Sequence, residues 1–385
     1  MRVFLVAGEP SGDRLGGALM EGLRALVPDI TFDGVGGPLM QAQGLNSQFP
    51  MSELSVMGLV EVLPKFFHLK RRIAETAQAV LDTQPDVLIT IDSPDFSLRV
   101  AKLVKAASDI RTVHYVAPSV WAWRSGRADK MAKVIDHVLA LLPFEPPYME
   151  RAGMECDFVG HPVASEPVAT DQEISDFRAM HGLADAPILL ALPGSRRGEI
   201  DRLAPVFGEA LSLYLKDTPD TRVVIPTVAH MVDGVTEHVQ NWPGSPVVVD
   251  PRDLPTDQAV NQKRAAFAAA DLALAASGTV SLELAAQATP MVIAYRLSWL
   301  TQKIAERMVK LDTVTLVNLV SETRTVPECL LDDCQPEMIA SVLGQVSAAP
   351  NSQREAMATT MDRLGRGGEA PGLRAAKAIL ERMSA

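Results

Sequence analysis

The chain reads as an α/β protein built from two Rossmann-like parallel-sheet domains, and three observations predict this. A strand, a glycine-bearing turn and a helix start occur twice: Arg2-Val-Phe-Leu-Val-Ala7 runs into Gly8-Glu-Pro-Ser-Gly-Asp13, and Ile188-Leu-Leu-Ala-Leu192 runs into Pro193-Gly-Ser-Arg-Arg197. Apolar strand-like runs then alternate with helical patterns through both halves, as in a parallel sheet covered by helices. The length of 385 residues also exceeds what a single core organises and suits two domains.

In the first half, strands are predicted at 3–7, 31–35, 87–91, 112–116, 137–141 and 156–159, separated by helical patterns at 15–26, 60–81, 98–107 and 126–135. The Pro, Ser and Thr-containing stretch at 161–171 breaks the pattern and marks a linker, so the first domain spans 1–165. The second half resumes with strands at 188–192, 222–225, 247–249, 272–275 and 291–294, giving a domain over 172–350. The remainder, 351–385, reads as C-terminal helices, of which 375–383 can lie back on the first domain. No short repeat is present, so the halves resemble each other in architecture only. In each half an apolar strand delivers the chain to the carboxyl edge of its sheet, where the next helix offers unpaired N–H groups. Two such sheets facing across a cleft predict an anion site on one wall and acid chemistry on the other. That geometry suits a transferase with a phosphate-activated donor.

Composition narrows the class. Hydrophobic residues make up 47% and charged residues 22%, a globular balance. There is no run of eighteen apolar residues and no signal-like N-terminal core, so a cytosolic protein without a spanning helix is expected. Cys156, Cys329 and Cys334 lack paired metal-ligand spacing, which suits a reducing compartment and no zinc. A net charge of -11 argues against nucleic-acid binding. Residues 63–72 run against that trend: Lys65, Lys70, Arg71 and Arg72 bracket Phe66, Phe67 and Leu69. Apolar anchors beside cations fit an anionic lipid surface. An amphipathic helix packed on its own sheet, with a solvated basic end, fits the same residues.

The chemistry-bearing residues fall at the predicted strand ends. After the strand at 188–192, Gly194 permits close backbone approach, Ser195 offers a hydroxyl, and Arg196 or Arg197 can fork onto phosphate oxygens. The competing role for the arginines is pairing with Glu199 or Asp201. After the strand at 272–275, Ser277, Gly278 and Thr279 start a helix carrying Glu283 on the face of Thr279, an arrangement for a diphosphate with a carboxylate for ribose hydroxyls. Asp92 and Asp95 end the strand at 87–91, where one can take a proton from a hydroxyl nucleophile and either can cap the following helix. Glu9 and Asp13 share that edge, as substrate-orienting groups or as caps. His114 and His161 also fall near the edge and read as structural. A dehydrogenase is excluded, because Gly8, Gly12 and Gly16 are spaced by four and their turn carries acids that repel a pyrophosphate.

Eight segments together resemble the lipid A disaccharide synthase family. They are Ala7-Gly-Glu-Pro-Ser-Gly-Asp13, Val56-Met-Gly-Leu-Val-Glu-Val62, Ile91-Asp-Ser-Pro-Asp-Phe96, His114-Tyr-Val-Ala-Pro-Ser-Val-Trp-Ala-Trp123 with Arg124 and Arg127, Leu142-Pro-Phe-Glu145, Val159-Gly-His-Pro162, Leu192-Pro-Gly-Ser-Arg196 and Ala276-Ser-Gly-Thr279, in order from the first residues to about Asn318. The resemblance implies a GT-B glycosyltransferase that is inverting and independent of metal or other cofactor. Its substrates would be UDP-2,3-diacylglucosamine and 2,3-diacylglucosamine 1-phosphate (lipid X), joined to a β(1→6) disaccharide with release of UDP. On this carry-over Asp92 is the general base, Glu9 a required acid, Arg196 a phosphate contact and Asn318 a further functional position. Val317 stands where the family has proline, and Leu319-Val-Ser-Glu-Thr-Arg-Thr325 replaces a more usual Ala-Gly-Arg-containing loop.

Acylated substrates give the basic and aromatic segment a purpose: Phe66, Phe67, Lys70 and Arg71 would face the cytoplasmic side of the inner membrane, with Trp121 and Trp123 competing for the same job. Homodimerisation through the C-terminal helices stays open. The rival readings are another UDP-sugar enzyme of the same fold, such as a 2-epimerase, and a non-catalytic nucleotide- or lipid-binding homologue.

Overall fold

The computed structural model describes residues 1–54, 59–121, 126–297 and 312–384, with side chains from 67 onward in the helix Leu59–Thr83. The chain divides into two compact units, Met1–Ser165 with Leu364–Ala385, and Glu166–Arg363.

The first unit holds β1 (Arg2–Ala7), β2 (Thr31–Val35), β3 (Asn46–Ser47), β4 (Val87–Ile91), β5 (Arg111–Tyr115), β6 (His137–Ala140) and β7 (Glu155–Phe158). They form a parallel 7-stranded sheet in the order β3-β2-β1-β4-β5-β6-β7. The second unit holds β8 (Ile188–Leu192), β9 (Arg222–Pro226), β10 (Val247–Val249), β11 (Leu272–Ala275), β12 (Met291–Tyr295) and β13 (Glu328–Leu330). Its parallel 6-stranded sheet runs β10-β9-β8-β11-β12-β13. Central strands such as β1, β4 and β8 are near-continuous apolar runs because helices cover both faces. In each sheet the winding reverses, between β1 and β4 and between β8 and β11, and ligands of open α/β sheets bind at the carboxyl ends beside such a reversal. Predicted and observed strand bounds agree within a residue. The strands without a sequence signal are β3 and β13, of two and three residues, too short for periodicity to register.

Register fixes what meets at the first reversal. Ala7 pairs with Ile91 and Ile91 with Tyr115, so Gly8, Asp92 and Val116 leave adjacent strands at one level. The C-terminal segment divides. The helix Asn351–Arg363 belongs to the second unit, where the Gln353 amide accepts from Met291 N–H at 2.8 Å and donates to Met291 C=O at 3.0 Å. The helix Pro371–Ser384 belongs to the first unit and packs on the helix Pro10–Leu26. Their crossing is close enough that a Cβ on Gly372 would lie 2.4 Å from the Ala18 carbonyl oxygen. Ala375, Ala376 and Ile379 are fully buried there, and burying the isoleucine alone is worth about 1.5–3 kcal/mol.

Candidate functional site

Each unit carries a cavity at the carboxyl edge of its sheet, the first between the ends of β4 and β5, beside the reversal, and the second at the reversal itself, between the ends of β8 and β11. The first, of about 350 Å³, is lined by Asp92, Asp95, His114, Ser119, Arg127 and Lys130, with apolar residues between. Its backbone is strained where the strands end. Asp92 has φ 50°, Ser93 φ 45° and Val116 φ 88°, left-handed conformations that cost L-residues on the order of 1–3 kcal/mol each and concentrate at functional sites. Surrounding bonds hold them: Asp92 N–H donates to Tyr115 C=O at 3.0 Å, and Ser97 Oγ donates to Asp92 C=O at 2.8 Å. The helix Pro94–Lys105 takes Ser93 as its N-cap, with no side-chain cap bond. The turn thus leaves the half-buried Asp92 carboxylate on the cavity wall instead of spending it on the helix end.

His114 is buried beneath this wall. Thr90 Oγ donates to Val113 C=O at 3.2 Å, so the imidazole Nδ1 at 2.8 Å carries the hydrogen toward Thr90, an assignment made from the network. Burial pushes the imidazole pKa down to about 4, so the ring is neutral near pH 7. His161 is half-buried, and desolvation pushes it down to about 4; its Nδ1 accepts from Val163 N–H at 3.2 Å, a structural bond.

Glu9 and Asp13, equivalent as sequence, separate in space. Glu9 is the half-buried N-cap of the helix Pro10–Leu26, and its turn abuts the Asp92 turn so tightly that a Cβ on Gly8 would stand 2.7 Å from Ser93 Oγ. Glu9 does not itself line the cavity. Asp13 is buried and accepts from Gly37, Leu39 and Met40 N–H at 2.9, 3.0 and 3.0 Å, capping the helix Pro38–Ala42. Its role is structural.

The second cavity, of about 390 Å³, gathers Gly194, Ser195, Arg196, Ser277, Gly278, Thr279 and Glu283 from two strand ends far apart in sequence. Gly194 has φ 124°, and a Cβ there would lie 2.6 Å from that of Glu199; Gly278 has φ 154° with open space before it. Sequence reading named Glu199 only as a partner for the arginines and missed the lining residues Thr227, Lys263 and Phe267. Glu199 accepts from Ser195 N–H at 3.2 Å and from Arg196 at 3.3 Å, and Tyr295 OH approaches it at 3.4 Å. A carboxylate therefore sits where the turn would receive an anion. The competing role for the arginines is realised here, since Arg197 also pairs with Asp201 at 3.8 Å. Arg196 is 67% exposed, and an ion pair that open to water is worth only about 0–1 kcal/mol, little obstacle to a phosphate. Glu283 pairs with Lys263, whose ammonium also lies 5.3 Å from the Phe267 ring centre. Lys263 belongs to the helix Thr256–Ala268, and no local pattern in the sequence announces it.

Asn318 is buried and its amide fully employed. It donates to Thr313 Oγ at 3.1 Å and Val326 C=O at 2.8 Å, and accepts from Val326 N–H at 3.0 Å. Glu328 supports the same loop by accepting from Val314 N–H at 3.0 Å and Thr313 Oγ at 2.8 Å. In this geometry Asn318 braces the 313–326 loop.

Phe67 is 81% exposed, beside exposed Lys70 and Arg71, while the side chain of Phe66 lies outside the described residues, as do Trp123 and Arg124. Arg72 is not part of this surface: it bonds Glu53 at 2.8 Å, and its guanidinium stacks 4.4 Å over the Phe49 ring. Trp121 is anchored inside its unit. Its indole N–H donates to Glu145 at 3.3 Å and its ring meets Phe144 edge-on at 5.3 Å. Burial pushes the Glu145 carboxyl up to about 7, against the Leu142, Trp121 and Leu141 hydrogen bonds that hold it down. Among the described residues no helix is long and apolar enough to cross a membrane, and no group of His, Cys, Asp and Glu is arranged to hold a metal ion.

Two parallel-sheet units, each with a cavity at the carboxyl edge of its sheet, define a GT-B architecture. Solved structures agree: a UDP-GlcNAc 2-epimerase from Neisseria meningitidis bound to UDP-GlcNAc matches with TM-score 0.65 at 12% identity, covering 100% of both chains. MurG of Acinetobacter baumannii matches with TM-score 0.52 at 14% identity, covering 100% of this chain and 99% of that one. At such identities the likeness concerns the fold alone. Sequence relatives are far nearer. The lipid-A-disaccharide synthase of Ruegeria pomeroyi is 74% identical over 383 residues, covering 100% of this chain and 96% of that protein. That of Rhodospirillum centenum is 46% identical, covering 98% and 94%. Residues 3–376 match the Lipid-A-disaccharide synthetase family, and the chain belongs to that family.

Proposed function

We propose that the protein transfers 2,3-diacylglucosamine from UDP-2,3-diacylglucosamine to lipid X, giving the β(1→6) disaccharide 1-phosphate and UDP in lipopolysaccharide synthesis. The observation that carries this is the Asp92 turn: a strained backbone holds a carboxylate on a cavity wall without using it as a cap. Asp92 takes the proton of the acceptor 6-hydroxyl as that oxygen forms its bond to the donor anomeric carbon. The bond from that carbon to the diphosphate breaks, and UDP leaves with the electron pair. Attack opposite the leaving group inverts the anomeric centre. Arg196 and the N–H groups of the Gly194 and Gly278 turns receive the charge growing on the diphosphate, displacing Glu199, while Glu283 accepts from the ribose. No metal is assigned a part. Glu9, on the turn against Asp92, orients the acceptor.

Both substrates are lipids, so the enzyme works at the cytoplasmic face of the inner membrane, with Phe67, Lys70 and Arg71 as contact. Dimerisation is compatible with this reading and not required by it. The rival 2-epimerase reading rests on structural likeness at 12% identity, against 74% identity to a synthase. The test is incubation of the purified protein with UDP-2,3-diacylglucosamine and lipid X in detergent micelles and in liposomes, followed by mass spectrometry. Tetraacyl disaccharide together with UDP is expected. Absence of disaccharide, with UDP-GlcNAc epimerised instead, would overturn the assignment.

A further inference from the structure

The cavity beside Asp92 has two chemical ends. Asp92 and Asp95 come from the turn after β4, and Arg127 and Lys130 from the short helix Gly126–Met131. On that helix Ala128 and Met131 are buried in the core, which fixes its rotation. Arg127 and Lys130, also three apart, are exposed and line the cavity together with the buried Met131. His114 adds no charge to the wall, because its ring is buried and neutral. The positive charge of this lining therefore comes from Arg127 and Lys130.

We propose that Arg127 and Lys130 bind the phosphate monoester of the acceptor sugar and so select a sugar 1-phosphate over the neutral sugar. This rests on the reading that Asp92 activates the acceptor hydroxyl. A neutral sugar offers these cations no charge-assisted contact, and a phosphate dianion is repelled from the Asp92 and Asp95 end. A sugar with a hydroxyl at one end and a phosphate at the other matches the cavity in a single direction, with the hydroxyl against Asp92. The cavity volume of about 350 Å³ falls within the range of small-molecule sites. Arg127 supplies a planar fork for two phosphate oxygens and Lys130 a point charge.

The experiment compares wild type, Arg127→Gln, Lys130→Gln and the double variant, varying lipid X, its dephosphorylated counterpart and the donor in turn. For the double variant, the KM for lipid X should rise about 10- to 100-fold, as expected for loss of charge-assisted contacts. The donor KM should stay unchanged, and the preference for phosphorylated over neutral acceptor should collapse toward parity. Arg127→Lys should restore part of it. An unchanged KM and preference in a double variant that melts at the wild-type temperature would overturn the proposal. Binding of glucosamine 1-phosphate, followed by calorimetry, separates this from the transferase reading. Heat from wild type and none from the double variant supports the phosphate site even if no disaccharide forms. Equal heats from both refute the site even if the enzyme is active.

Discussion

The two switch points solve opposite problems with the same strand-turn-helix unit. In the first unit the unusual backbone angles fall on residues with side chains, Asp92, Ser93 and Val116. In the second they fall on glycines, Gly194 and Gly278. A turn proposed to hold a carboxylate toward a hydroxyl needs the side chain and accepts the strain. A turn proposed to bring backbone N–H groups up to a diphosphate needs the side chain gone. Glu199 adds to the contrast: the second turn is occupied by a carboxylate of its own helix, while the carboxylate of the first faces its cavity.

The comparison can be broken most severely at Asp92. Asp92→Asn keeps the left-handed turn, since asparagine tolerates αL, but removes the base; turnover should fall about 10²- to 10⁴-fold while UDP affinity is kept. Loss of UDP binding in that variant would mean the two sites are not chemically separate. Next in size is Asn318→Ala, which strips two buried bonds from Val326 and should lower stability by about 2–4 kcal/mol in urea unfolding. If stability held and only turnover fell, the residue would act on substrate directly and not through the loop. Arg196→Ala should weaken UDP binding by about 1.5–3 kcal/mol, or roughly 10- to 150-fold, when titrated calorimetrically. Its unfolding midpoint should scarcely move, because the arginine is 67% exposed. The smallest effect is expected from Ser93→Gly, which relieves an αL serine and should stabilise the first unit by at most about 1 kcal/mol. A destabilised variant would show that Ser93 is held by contacts worth more than its strain.

Legibility followed the range of the forces involved. Strands such as β1, β4, β8 and β11 were readable because five consecutive residues or so carry the whole signal, and β13 was not because Glu-Cys-Leu carries none. Gly194, Ser195 and Arg196, which line the second cavity, could be named in advance as a turn, since glycine, serine and arginine at a strand end announce one with few alternatives. Glu9 and Asp13 looked interchangeable, and only the neighbouring segment 37–40 made one a buried cap. Asn318 matched a family position, yet a position in a motif carries no information on burial.

The amino-acid sequence determined the fold class, the order of nearly every strand, the turn chemistry at both sheet edges and, through similarity, the family. These rest on local pattern and on residue type, which a linear chain displays directly. Tertiary structure decided the strain at Asp92 and Val116, the occupation of the 193–197 turn by Glu199, the arrival of Lys263 and the assignment of Pro371–Ser384 to the first unit. Each depends on atoms brought together from distant parts of the chain, and register and burial exist only once the sheets have formed.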